Sequence, residues 1–417
     1  MSAPVDSAPA GPRPDLDRPL VLRPLVYLQE GDEVTIGSPD VDSYAVFPAD
    51  GAELVRMLAD GVTPREAAER HEEAHGESVD MPDLLSVLED LGFVHDGTGT
   101  AAPAPVRWQR LGRALFSRPA WVCYATLTAL SLVAMARAPE LAPHRGALFF
   151  SSSYTVISLV LFLGQIPFLA LHEAFHALAG RRMGLNSTFS VGRRLIYVVF
   201  ETSLPGLVAV PRRQRYLPIL AGMVADVLAV DVLTLVAAVV REPGGALSPA
   251  GRVCLALAFA VVMRLLWQLF FYLRTDVYIL LTTVLGCTDL HGAATAVLRN
   301  AVRRWTGRAA QELSAYGPAD LRAARWYAWL LPVGYALTLG SFATVVVPSA
   351  YRLLTGLFGR LRAGTPLSGI ADSAILLALL LAQFLAVAYM ALRDRRARRS
   401  GAGQQVRDSR PESPATA

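Results

Sequence analysis

The sequence predicts a polytopic α-helical membrane protein of about six spans with a soluble α+β domain at its N-terminal end. Three observations lead there. The 417 residues are 53% hydrophobic, too apolar for a wholly soluble chain of this length. After residue 107 the apolar residues gather in long runs, each able to cross a hydrocarbon core of roughly 30 Å at about 1.5 Å per residue. Before residue 96 the pattern instead changes from short alternating runs to short helical ones.

The charge pattern belongs with the membrane. All 39 basic residues are arginine, against 35 acidic ones, for a net charge of +4. A basic balance invites a nucleic-acid reading, but the arginines cluster beside the apolar runs, as cytoplasmic loops do under the positive-inside rule. A lipid bilayer, with no nucleic acid, is therefore the expected surroundings. Cys123, Cys254 and Cys287 are scattered and form neither a disulfide framework nor a metal-binding pair. The Pro/Ala-rich first twenty residues have no apolar centre, so no cleavable signal peptide is expected.

Residues 1–19 are expected to be disordered and residues 20–96 to form the soluble domain. Strands are expected over 25–29, 33–37 and 43–47, separated by Gly-Asp and Pro-Asp turns. Helices follow over 49–58, 64–75 and 82–91. The second has Thr63 as N-cap, Pro64 at its first position and Glu66 completing a capping box. The third carries Leu84, Leu85, Val87, Leu88 and Leu91 on its apolar face. Residues 97–118 read as a Gly/Ala/Pro-rich linker.

Six spans are expected within a membrane domain over 119–392: residues 120–136, 155–179, 216–240, 253–273, 326–347 and 371–392. Arginines crowd before the first, between the second and third, after the fourth and after the sixth. The opposite loops are poorer in arginine, which puts both termini in the cytoplasm and the chain in a plasma or inner membrane. The loop with Arg352, Arg360 and Arg362 fits least well. Residues 393–417 read as a basic, disordered tail.

Inside the second span the chain reads Leu169-Ala-Leu-His-Glu-Ala-Phe-His-Ala-Leu-Ala-Gly180. Four residues apart on a helix, His172 and His176 project from one face, and Glu173 can act as general base on a water held there. A hydrolytic zinc site needs three protein ligands and an open position. Depth favours Asp276 as the third: His172 lies about 26 Å along a span entered near Thr155, and Asp276 falls just past a span entered from the same side near Val253. Asp226, Asp231, and Asp289 with His291 compete. Asp226 also suits a place behind the ligands, orienting an imidazole N–H, while Asp231 is expected to point elsewhere and pair with an arginine.

A second copy of the spacing, His71-Glu72-Glu73-Ala74-His75, lies on a highly charged helix with Arg65, Glu66, Glu69 and Arg70. It reads as a solvated face with no apolar pocket around it. Two histidines and a glutamate buried at His172–His176 without a metal would, by contrast, be costly.

His172–Gly180, then Pro211-Arg-Arg-Gln-Arg-Tyr216 leading to Ala221-Gly222, and Leu273-Arg-Thr-Asp-Val-Tyr278 with Gly286-Cys287 resemble the site-2-protease-like intramembrane zinc metallopeptidases, most nearly their bacterial peptide zinc metalloprotease branch. The resemblance covers roughly residues 107–392. It implies Zn²⁺ held by His172, His176 and Asp276, with Glu173 as catalytic base. Met223 stands where many relatives have proline, no Asp-Gly pair is present at the third ligand, and there is no PDZ-like insertion.

The N-terminal domain resembles the PqqD-like peptide-recognition element of ribosomal peptide pathways, three strands and three helices in a winged-helix arrangement. That resemblance implies a leader or precursor peptide added beside the third strand, at Ser43, Tyr44, Ala45, Val46 and Phe47, and packed on Leu84, Leu85 and Leu88. Between residues 20 and 96 eighteen Asp/Glu face four Arg. This field suits a basic peptide, and equally suits solubility beside an anionic membrane. The expected activity is hydrolysis of a precursor peptide, in company with peptide-modifying enzymes or an exporter. A non-proteolytic peptide-binding, export or immunity protein is the alternative from another class. Regulated cleavage of a membrane-bound regulator is a third reading.

Overall fold

A computed structural model gives the structure of residues 16–95 except 32 and 42, of residues 106–341 except 195, 196 and 315, and of positions scattered between 343 and 393. The expected disordered ends and the first part of the expected linker lie mainly outside these described residues. The chain divides into two compact units, one of residues 1–115, 177–188 and 203–216, the other of residues 116–176, 189–202 and 217–417.

In the first unit β1 (Val26–Glu30), β2 (Glu33–Ser38) and β3 (Ser43–Pro48) form an antiparallel sheet in the order β1-β2-β3. Gly31, with φ 71°, turns the chain between β1 and β2. Val34 pairs with Phe47 and Ile36 with Ala45. Three helices follow: α1 (Ala49–Ala59), α2 (Pro64–His75) and α3 (Met81–Asp90). Thr63 Oγ1 accepts from Glu66 N at 3.3 Å, so the expected cap forms. The return half of the box does not, because the Glu66 carboxylate accepts from Arg70 instead.

Val34, Ile36, Leu54, Val55, Leu58, Leu85, Leu88 and Phe93 make the core. Alternation alone would leave one face of β2 to solvent, yet Val34 through Ser38 are all buried. The second face is covered by a 3-10 turn, Pro205–Ala209, from the same unit. Glu30 accepts from Arg212 at 3.3 Å and Arg215 at 2.9 Å, tying β1 to that segment. The later half of the expected linker is a helix, α4 (Gln109–Leu115). Any side chain at Gly112 would collide with the backbone of Leu178 and Arg182.

The other unit is mostly helical: α5 (Arg118–Arg137), α6 (Tyr154–Arg182, shared with the first unit), α7 (Arg212–Val239, likewise), α8 (Pro249–Trp267), α9 (Asp276–Leu285), α10 (Leu290–Trp305) and α11 (Pro318–Ser341). Among the described residues α5, α6, α7 and α8 are long and apolar enough to cross a membrane, and α9 with α10 forms a pair bent by 87°. The first four expected spans fall on α5 to α8, and the described residues hold four such helices, or five with the bent pair. Expected spans 326–347 and 371–392 run over positions outside the described residues. The described part of the former is α11, which starts eight residues earlier with Asp320, Arg322 and Arg325 in its first turns.

The helix of the expected fourth span ends six residues early. Helix α8 stops at Trp267, and Gln268 takes over the turn. Its carbonyl accepts from Thr275 Oγ1 at 2.6 Å, and its side-chain oxygen accepts from Asp276 N at 3.1 Å. Arg274 adopts a left-handed φ of 61°, a strain of roughly 1–2 kcal/mol for a residue with a Cβ. A hairpin of β4 (Thr188–Arg194) and β5 (Tyr197–Ser203) stands where a plain arginine-rich loop was expected.

Candidate metal centre

The centre begins with α6. Its spacing puts His172 and His176 on one face, and both are buried, as is Glu173 between them. Pro167 lies inside the helix, five residues before His172, a break that apolar helices tolerate where neighbouring groups re-satisfy the freed carbonyl. The Gln268 turn delivers Asp276 at the start of α9. His172 Nε2 lies 3.1 Å from Asp276 Oδ2, His176 Nε2 lies 3.3 Å from the same oxygen, and the two Nε2 atoms are 3.1 Å apart. Zinc bonded at about 2.0–2.1 Å to a tetrahedron of N and O atoms has edges of about 3.3–3.4 Å. The three donor atoms therefore stand close to the spacing one ion needs.

Hydrogen positions sharpen this. His176 Nδ1 lies 2.7 Å from the Pro218 carbonyl, which can only accept, so Nδ1 carries the hydrogen. His172 Nδ1 lies 3.0 Å from Asp226 Oδ2. Asp226 also accepts from Arg264, at 3.1 Å from Nε and through a second, shorter contact from the other guanidinium nitrogen. That carboxylate is thus an acceptor, and His172 Nδ1 donates to it. In neutral imidazoles both Nε2 atoms then present lone pairs, aimed at each other and at a carboxylate oxygen. Such a constellation suits a shared positive charge in the middle, a metal ion or a proton on one Nε2.

Gly222 supplies the space. A Cβ there would come within 2.5 Å of His172 Nε2 and closer still to His176 Nε2, so any side chain would intrude on the donor cluster. Arg264 is anchored in turn by Gln165, whose Oε1 accepts at 3.1 Å and whose Nε2 donates to the Leu257 carbonyl at 3.2 Å. Glu173 has no hydrogen bond or ion pair to its carboxylate among the described residues, while its carbonyl accepts from Thr202 Oγ1 of β5 at 3.2 Å.

The competitors fall away. His172, His176 and Asp276 are the one group of three such side chains with converging donor atoms among the described residues. Asp226 stands behind His172, at its Nδ1. Asp231 accepts from Thr128 and pairs with no arginine among the described residues; Arg264 goes to Asp226. Asp289 caps α10 through Gly292 N, and the His291 ring stacks edge-on to Tyr327. At the other copy of the spacing, His71 is buried rather than solvated, stacked on the exposed His75 at 4.6 Å, with its charged neighbours outside.

Of the expected peptide-binding residues, Phe47, Leu85 and Leu88 belong to the core of their unit. Val46 is exposed and Leu84 half-buried, and Ser43, Tyr44 and Ala45 are half-buried along β3, an edge of the sheet. Tyr44 also lies across Gly37 and reaches Gly206 with its hydroxyl. Arg264, Gln165 and Gln268 were not anticipated. Arg264 had a signal, as the single charge inside the apolar run of α8; such a residue needs a partner.

Comparison of the chain with protein-family models, with curated proteins and with solved structures finds no match in any of the three.

Proposed function

We propose that the chain is a membrane-embedded, zinc-dependent endopeptidase that cuts a precursor peptide. The observation that carries this reading is the convergence of His172, His176 and Asp276 beside a buried Glu173 whose carboxylate has no partner among the described residues. Zinc, when bound, polarises a carbonyl and acidifies water. His172, His176 and Asp276 would hold it. Asp226 and the Pro218 carbonyl keep both imidazoles in the tautomer that ligation needs. Glu173 takes the proton of the attacking water and later delivers it to the leaving amine. A protein that only bound or exported peptide would have no use for a base placed there.

The substrate side rests on the N-terminal unit. Its acidic composition and the position of β3 at the edge of the sheet suit a basic leader peptide added as a strand, with Val46 and Leu84 accessible to it. Tethering such a unit to the catalytic domain raises the local concentration of substrate.

The test uses full-length protein in detergent, with zinc content and peptide cleavage measured together. Glu173→Gln should keep its metal and lose turnover by at least about a hundredfold, while His172→Ala should lose both. Full activity in Glu173→Gln would overturn the reading.

A further inference from the structure

A second polar cluster lies between α5 and α7, away from the histidines. Asp231 is 4% exposed within an apolar helix and accepts from Thr128 Oγ1 at 2.6 Å. Among the described residues it has no cationic partner. The helices run in parallel and in near-constant register. Glu140, just past the end of α5, pairs with Arg241, just past the end of α7, at 2.8 Å, and Ala134 and Ala237 share one apolar cluster. At the spacing of these contacts Ser131 would fall opposite Thr234, one turn beyond Thr128 and Asp231. Both are wholly buried, and both hydroxyls lack a partner among the described residues. Elsewhere Thr126 and Thr283 bond back to their own helix at 2.9 and 2.8 Å; Ser131 and Thr234 do not.

We propose that Asp231, Thr128, Ser131 and Thr234 form a binding site for an alkali cation, Na⁺. An ionised carboxylate alone at membrane depth is costly and marks ion sites. A cation would neutralise it and give both orphan hydroxyl oxygens a partner, while Thr128 keeps lone pairs for the ion as it donates to Asp231. The donor set is entirely oxygen, which suits a hard cation rather than zinc. It brings one negative charge, which matches a monovalent ion better than Ca²⁺ or Mg²⁺ with their carboxylate-rich shells. Occupancy clamps α5 to α7, the helix that also carries Gly222 and Asp226.

The proposal stands independently of the peptidase reading. Its test is thermal unfolding of the full-length protein in detergent, titrated with NaCl against choline chloride at equal ionic strength, with zinc content measured alongside. Na⁺ should raise the melting temperature in a saturable way. Asp231→Asn should abolish that rise without changing zinc content. Ser131→Ala and Thr234→Val should each move the half-maximal Na⁺ concentration up about tenfold, and they carry the test should Asp231→Asn fail to fold. Coincident Na⁺ and choline curves would show a protonated Asp231 with a buried water and overturn the proposal. So would an undiminished Na⁺ response in all three variants.

Discussion

At the scale of single residues the centre depends on one absent side chain. Gly222 leaves room where the two imidazole Nε2 atoms and Asp276 Oδ2 converge. Gly222→Ala, a change that would ordinarily favour a helix by about 1 kcal/mol, should here reduce bound zinc to a small fraction of an equivalent while α-helical circular dichroism is preserved. Normal zinc content in that variant would place the ion elsewhere. Behind the ligands, Asp226 orients His172 and is itself held by Arg264. Asp226→Asn should weaken metal affinity about 10–100-fold, read by competition with a chelator. Arg264→Gln should cost a similar factor, and the double variant should cost less than the sum, because it removes the buried charges together.

The element scale shows what was legible in the sequence. The strands and helices of the N-terminal unit fall within a residue or two of their expected bounds, because alternation, Thr63, Pro64 and the glycine turns are local signals. The His172 helix was equally plain. The break after Trp267 was not: hydropathy runs on through Phe271 and Leu273, and the turn is held by hydrogen bonds of Gln268 to Thr275 and Asp276 that no turn residue announces. Depth and the resemblance both pointed to Asp276, and this turn is the physical reason it meets the histidines. The β4–β5 hairpin was hidden by its arginines, which read as a cytoplasmic loop. Burial of His71 was hidden by the charges around it on α2. Long-range partners such as Arg264 and Gln165 have no local spacing to betray them; only the rarity of a charge within α8 gave notice.

At the scale of the whole molecule, chain order and compact units do not coincide. Residues 177–188 and 203–216 join the N-terminal residues in one unit, and Glu30 with Arg212 and Arg215 ties the sheet to that segment. A recognition role for the small domain makes a definite demand on kinetics. Deleting residues 1–96 should weaken processing of the cognate precursor at least about tenfold more than cleavage of a generic peptide, chiefly through KM, since tethering acts on effective concentration. Equal loss on both substrates would argue for a structural role of the sheet.

The most direct measurement is zinc per chain in the purified full-length protein and in Asp276→Ala, with His71→Ala as control. The account predicts close to one equivalent in the native chain and in His71→Ala, and almost none in Asp276→Ala. A full equivalent in Asp276→Ala, or its loss in His71→Ala, would contradict it.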